Sequence, residues 1–231
     1  QAAWVLAAVI QAVLATALWC GARQPQIASP SSSDLAASAQ NSDLILILRT
    51  IRSLPASLLF TYTAPTLVYD VLLQFWQPII VLTGVPSESN LVLSLVSLAI
   101  MMAMSMGSAL EERPTRRWLI PTVIAMAPVA VVGMATTDGI AQPVLALTAI
   151  GLLITAATAL RSRATFQLSN AVRGDVEIAT FSVVSALARI LSGLVILLVG
   201  TFLHTATSVP LVIFALAMLT SVSFLAGRAE P

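Results

Sequence analysis

The sequence predicts an all-α protein, a polytopic membrane bundle of seven transmembrane helices. Three observations carry this. First, 58% of the 231 residues are hydrophobic and only 9% are charged, where a soluble domain carries about 25% charged residues. Second, seven apolar stretches, approximately 3–20, 57–83, 90–109, 118–136, 143–160, 178–203 and 209–226, suit the roughly 17–25 residues that a helix needs to cross a bilayer. Third, no stretch alternates as a barrel strand would, and open strands would leave backbone groups unpaired in lipid.

The charges orient these spans. Arg23, Arg49 and Arg52 follow the first, Arg113, Arg116 and Arg117 the third, Arg161, Arg163 and Arg173 the fifth, and Arg228 the seventh. The alternate loops hold Glu88, Asp138 and His204 and no arginine. By the positive-inside rule the arginine side is cytoplasmic, which places the C-terminus inside. Eleven arginines beside no lysine fit a GC-rich bacterial genome, and hence a bacterial plasma membrane. Chemistry of other kinds finds little support. The single Cys20 excludes an internal disulfide framework. His204 lies in a loop, and there is no metal-ligand cluster, phosphate loop or embedded nucleophile–base pair. A net charge of +1 gives no indication of a nucleic-acid partner. No enzyme activity, cofactor or metal is expected.

The first span, 3–20, has no basic region before it, so it does not read as a signal peptide. Residues 25–42 are rich in Pro, Ser, Gln and Ala and read as a flexible linker. Residues 43–54 are too short to span. With Asn41 or Ser42 as N-cap and Arg49 and Arg52 late, they suit a short interfacial helix. The linker is therefore a candidate boundary between two helical bundles, within an expected cytoplasmic loop over 21–56.

The second span places Thr63, Thr66, Asp70, Gln74 and Gln77 on one face by steps of three or four, flanked by Tyr62 and Tyr69. Prolines 65 and 78 bracket Asp70 and invite bends. The sixth span carries Ser182, Ser185, Arg189, Ser192, Gly193 and Gly200 at similar spacing. The third shows Ser94, Ser97, Ser105 and Ser108 with Met101 and Met104 between them, and the fifth shows Thr148, Gly151, Thr155 and Thr158. Spans two, three, five and six would thus line an interior, with one, four and seven behind them. Small and hydroxyl residues also serve close helix packing, which is the plainer reading of spans three and five.

Asp70 and Arg189 are harder to dismiss. A charge at bilayer depth costs roughly 2.5–3.5 kcal/mol on insertion scales and usually marks an ion or substrate path. Counted along their helices, both lie roughly 17–20 Å from the cytoplasmic end, near the midplane. They would pair directly or face one cavity. The expected pathway residues are Asp70, Arg189, Thr66, Tyr69, Gln74, Gln77, Thr155 and Ser185. Asp70 would titrate or attract a cation. Arg189 would be its counter-charge or would anchor an anion. An ion pair that only orders the bundle is the structural alternative.

Between spans three and four the chain reads Ser108-Ala-Leu110-Glu-Glu112-Arg113-Pro-Thr115-Arg116-Arg117. This resembles the cytoplasmic signature of the major facilitator superfamily, G-x-L-x-D-R-x-G-R-R. Leu110, Arg113, Arg116 and Arg117 match, Glu112 stands for the acid, and Ser108 and Thr115 replace the glycines. The start of the sixth span, Ile178-Ala-Thr180-Phe-Ser182, is similar to the R-A-T-x-x-S opening of the family's eleventh helix, with Glu177 before it in place of the Arg. The resemblance implies that the chain is helix six, the central loop and helices seven to twelve, with six spans forming one major-facilitator-type half. Helices one to five would lie outside this chain. It also implies alternating access around a central site, with Leu110, Glu112, Arg113, Arg116 and Arg117 as a cytoplasmic gating motif. The expected function is secondary transport of a small solute, proton-coupled, with a lean towards efflux of amphipathic compounds. Its partners would be the lipid bilayer, the solute, and protons or another coupling ion. The alternative is a solute sensor or scaffold on a transporter fold.

Overall fold

A computed structural model of the protein describes residues 49–112, 119–172 and 177–227. Six helices run through them: α1 (Ala56–Leu82), α2 (Asn90–Glu112), α3 (Leu119–Thr136), α4 (Ala141–Ala171), α5 (Glu177–Phe202) and α6 (Ser208–Ala226). All six are long and apolar enough to cross a membrane. They match six of the seven expected spans. The span expected at 3–20, the linker, and Arg113, Arg116 and Arg117 of the signature lie outside the described residues, as does 43–48 of the interfacial helix. Residues 49–53 are helical.

One boundary departs from expectation. The apolar run of the fifth span ends at residue 160, yet α4 continues to Ala171. The extension has a buried face of its own. Ala164, Leu168 and Val172 recur every four residues and pack with Leu58 and Tyr62 of α1 and Val184 and Ala188 of α5. Helix packing at this end of the bundle thus carries α4 past the point where its hydropathy falls. Arg161 and Arg163 are consequently helical residues and not loop residues.

The connections are short and two are fixed by glycine. Gly84 has φ +106°. Val85 N–H donates to Ile80 O at 3.4 Å and Gly84 N–H to Val81 O at 3.1 Å, a Schellman ending for α1. Gly139, with φ +70°, turns the chain between α3 and α4. Pro65, Pro78 and Pro128 are all accommodated inside continuous helices.

Helix neighbours in sequence are mostly not neighbours in space. α1 packs on α4, α5 and α6, while α4 packs on α1, α2 and α3. α3 also packs on α6, and α4 touches α6 and α5 more slightly. Exchanging α1, α2 and α3 for α4, α5 and α6 leaves the main pairings unchanged. Leu58 and Tyr62 share a cluster with Ala164 and Leu168, while Tyr69 meets Arg161, so α1 and α4 run oppositely. The bundle therefore pairs its helices as two three-helix units of inverted topology.

The two pivotal helices make these contacts in different ways. In lipid, helices associate through close packing, since the surrounding tails are as apolar as leucine. α4 buries Ala146, Ala149, Ala156, Ala157, Ala159 and Ala164, whose small side chains let its neighbours approach. α1 instead buries larger groups, among them Val68, Val71, Leu72, Ile79 and Ile80. α2 approaches α4 closely at Gly107, where a Cβ would stand 2.6 Å from Thr155 O and 2.7 Å from Thr158 Cβ of α4. α5 is the least covered helix: Leu187, Ile190, Leu194 and Leu198 are all exposed.

Candidate functional site

The polar groups within the bundle gather where α1, α2, α4 and α5 meet. Tyr69 and Asp70 occupy the middle of α1, roughly 20 Å from Ala56 at about 1.5 Å per residue. α4 passes α1 in the opposite direction, so Leu168 and Ala164 share a cluster with Leu58 and Tyr62. Two turns deeper, Arg161 comes beside Tyr69. Helical side chains lean towards the N-terminus of their own helix. The Arg161 side chain is therefore directed further into the bundle, and its guanidinium carbon lies 5.3 Å from the Tyr69 ring centroid. On its other side the Tyr69 hydroxyl donates to Met104 Sδ of α2 at 3.8 Å.

Asp70 is half-buried, with Ser192, Arg161 and Arg189 in electrostatic range of its carboxyl. Ser192 is buried, and its hydroxyl sits beside the carboxyl without closing a hydrogen bond to it. Asp70 and Arg189 form no salt bridge in this structure, and Arg189 is exposed on α5. Of the two arrangements open from sequence, direct pairing is absent. The carboxyl instead has two arginines nearby, on two different helices.

A cleft of about 350 Å³ opens at this junction, lined by Tyr69, Thr158, Arg161, Ser162 and Thr165. Four of these five come from α4. Thr165 Oγ1 donates to Arg161 O at 2.8 Å. Thr158 Oγ1 is buried with no hydrogen-bond partner. Buried hydroxyls are normally satisfied, so an orphan facing such a space calls for an explanation.

The remaining expected residues have varied surroundings. Thr155 is buried at the α2–α4 crossing, where its hydroxyl lies 3.1 Å from Ala103 O and 2.8 Å from Gly151 O. Thr66 is buried and donates to Tyr62 O of its own helix at 2.8 Å. Gln74 and Ser185 are half-buried, and Gln77 is exposed. Leu110 is buried near the end of α2, the helix that closes at Glu112.

Arg161, Ser162 and Thr165 were missed as site residues because they fall beyond the apolar run. A signal was present. The stripe Thr148, Gly151, Thr155, Thr158 continues in steps of three and four through Ser162 and Thr165. A periodicity that outlasts the hydropathy marks a helix longer than its membrane-soluble part. No group of acids, histidine or cysteine able to hold a metal occurs among the described residues. No family model matches this chain, and neither does any curated protein or solved structure.

Proposed function

We propose that this chain forms one half of a secondary transporter that moves a small solute by alternating access, coupled to protons through Asp70. The carrying observation is the placement of Asp70 at mid-helix depth, with Arg161 and Arg189 in range from two other helices. Ionisable groups at this depth are costly and mark ion or substrate paths. The inverted pairing of α1–α3 with α4–α6 supports the same reading, since inverted three-helix units recur in secondary transporters and place their sites at the unit interface. Tyr69, Asp70 and Arg161 stand on α1 and α4, the first helix of each unit. The major-facilitator resemblance adds the expectation of a gate at Leu110, Glu112, Arg113, Arg116 and Arg117 on the cytoplasmic side, and of a second bundle completing the cavity. Half-buried Met104 beside Tyr69 gives the site an adaptable apolar wall. That wall suits amphipathic solutes.

The test is solute accumulation in vesicles holding the full-length protein under an imposed pH gradient, for wild type and Asp70→Asn. The expected result is gradient-driven accumulation by wild type that falls at least about tenfold in Asp70→Asn, while exchange without a gradient persists. The same gradient dependence in both proteins would remove the proton role. Specific solute binding without flux in wild type would make the protein a sensor.

A further inference from the structure

The cleft beside Tyr69 has a sharper chemistry than a generic polar path. Arg161 brings a planar guanidinium with five N–H donors and no acceptor. Among the described residues this guanidinium forms no hydrogen bond or salt bridge, and it stands over the ring of Tyr69. Thr158 Oγ1 is unpartnered at the same cleft, and Ser162 adds a second hydroxyl. The lining thus offers one positive charge, several donors and an aromatic face, and it contains no carboxylate. A cation kept at this depth with free donors fits an oxyanion. The guanidinium fork matches a carboxylate through two parallel hydrogen bonds, and the cleft volume is at the small end of ligand sites.

We propose that this cleft is the subsite for the carboxylate of an amphipathic organic anion. Arg161 binds the carboxylate in bidentate fashion, Thr158 and Ser162 donate to its remaining lone pairs, and the apolar body of the solute lies towards Tyr69 and Met104. The proposal rests on the transporter reading and names its substrate class. It also gives Asp70 a task. Its carboxylate lies in range of Arg161, so the negative charge opposes an anion in the cleft, and neutralising it favours one. The charged and titratable groups around Asp70 are Tyr69 on its own helix, Arg161 on α4 and Arg189 on α5; α6, also packed on α1, carries none.

The experiment measures equilibrium binding of 2-naphthoate to the full-length protein in phosphatidylcholine vesicles, against the neutral 2-naphthamide and the cationic 2-naphthylmethylamine. Wild type is expected to prefer naphthoate at least about tenfold. Arg161→Gln should erase that preference and Arg161→Lys should keep part of it. Arg163→Gln, the same charge change two residues along, should leave it unchanged, and Asp70→Asn should tighten naphthoate several-fold. No naphthoate binding, equal binding of the three probes, or a preference that survives Arg161→Gln would overturn the proposal. Displacement of naphthoate by dioctanoyl phosphatidylglycerol, but not by the matching phosphatidylcholine, would assign the cleft to a lipid headgroup and overturn it too. Naphthoate binding without flux of any solute would leave the subsite standing and remove the transporter reading. Gradient-driven flux of other solutes with no anion preference would do the reverse.

Discussion

Arg161 stands over the ring of Tyr69, its guanidinium carbon 5.3 Å from the centroid. The contact joins α4 to α1 and turns the guanidinium towards the cleft that both residues line. Such a pair contributes roughly 0.5–1 kcal/mol when exposed and about 2 kcal/mol when desolvated. Its larger consequence is positional, because the ring of Tyr69, and not its hydroxyl, holds the cation where both residues line the cleft.

That division separates two substitutions at Tyr69. Tyr69→Phe keeps the ring and loses only the weak hydroxyl–sulfur contact to Met104, so naphthoate binding should stay within about twofold of wild type. Tyr69→Leu removes the aromatic face, and binding should weaken roughly five- to thirtyfold, the equivalent of about 1–2 kcal/mol. Equal losses in both variants would place the importance on the hydroxyl.

Gly107 should tolerate no side chain. A Cβ there meets the Thr155 carbonyl oxygen at 2.6 Å and Thr158 Cβ at 2.7 Å, and neither is the free end of a flexible group. Gly107→Ala should therefore push α2 from α4 and lower stability by about 1–3 kcal/mol, the usual range for overpacking. Gly151→Ala, on α4 itself, meets nothing within 4 Å and should be neutral or slightly stabilising, since alanine is the better helix former. Thermal melting of the full-length protein in detergent compares the two.

Thr155 sits one turn away and joins the same two helices by a hydrogen bond, its hydroxyl 3.1 Å from Ala103 O. Thr155→Val preserves shape and removes that bond. Interhelical hydrogen bonds in membranes average about 0.6 kcal/mol, so the melting temperature should drop by only a few degrees. Flux per folded molecule should be unchanged, because the hydroxyl is turned to the backbone of α2 and does not line the cleft. A large loss of flux at normal stability would return Thr155 to the solute path.

Much of this arrangement was legible in the sequence, because hydropathy in lipid is a strong signal. The ends of α1, α2, α3, α5 and α6 fall within a few residues of the apolar runs. Asp70 stood out as a charge that the membrane penalises, and it lies among the arginines of the bundle. Arg189 stood out equally, yet it is exposed and unpaired with Asp70. A charge on one helix does not say which helix it faces. Arg161 was hidden for the opposite reason. Its place at the end of an apolar run reads as a loop charge, and only packing of the following turns against α1 and α5 draws it into the bundle.

That packing is itself open to test. Leu168 is 1% exposed and Phe166, two residues earlier on the same extension, is 68% exposed. If residues 161–171 are a packed helix, Leu168→Ala opens a cavity against Leu58, Tyr62 and Val184. Buried leucine-to-alanine changes cost about 2–5 kcal/mol, so a clear fall in melting temperature is expected. Phe166→Ala should change it little despite removing the larger side chain. Because Arg161 is held in place by the same extension, Leu168→Ala should also weaken naphthoate binding, while Phe166→Ala should not. Matching effects of the two substitutions on melting would mean that the segment is not anchored by Leu168, and the placement of Arg161 over Tyr69 would lose its support.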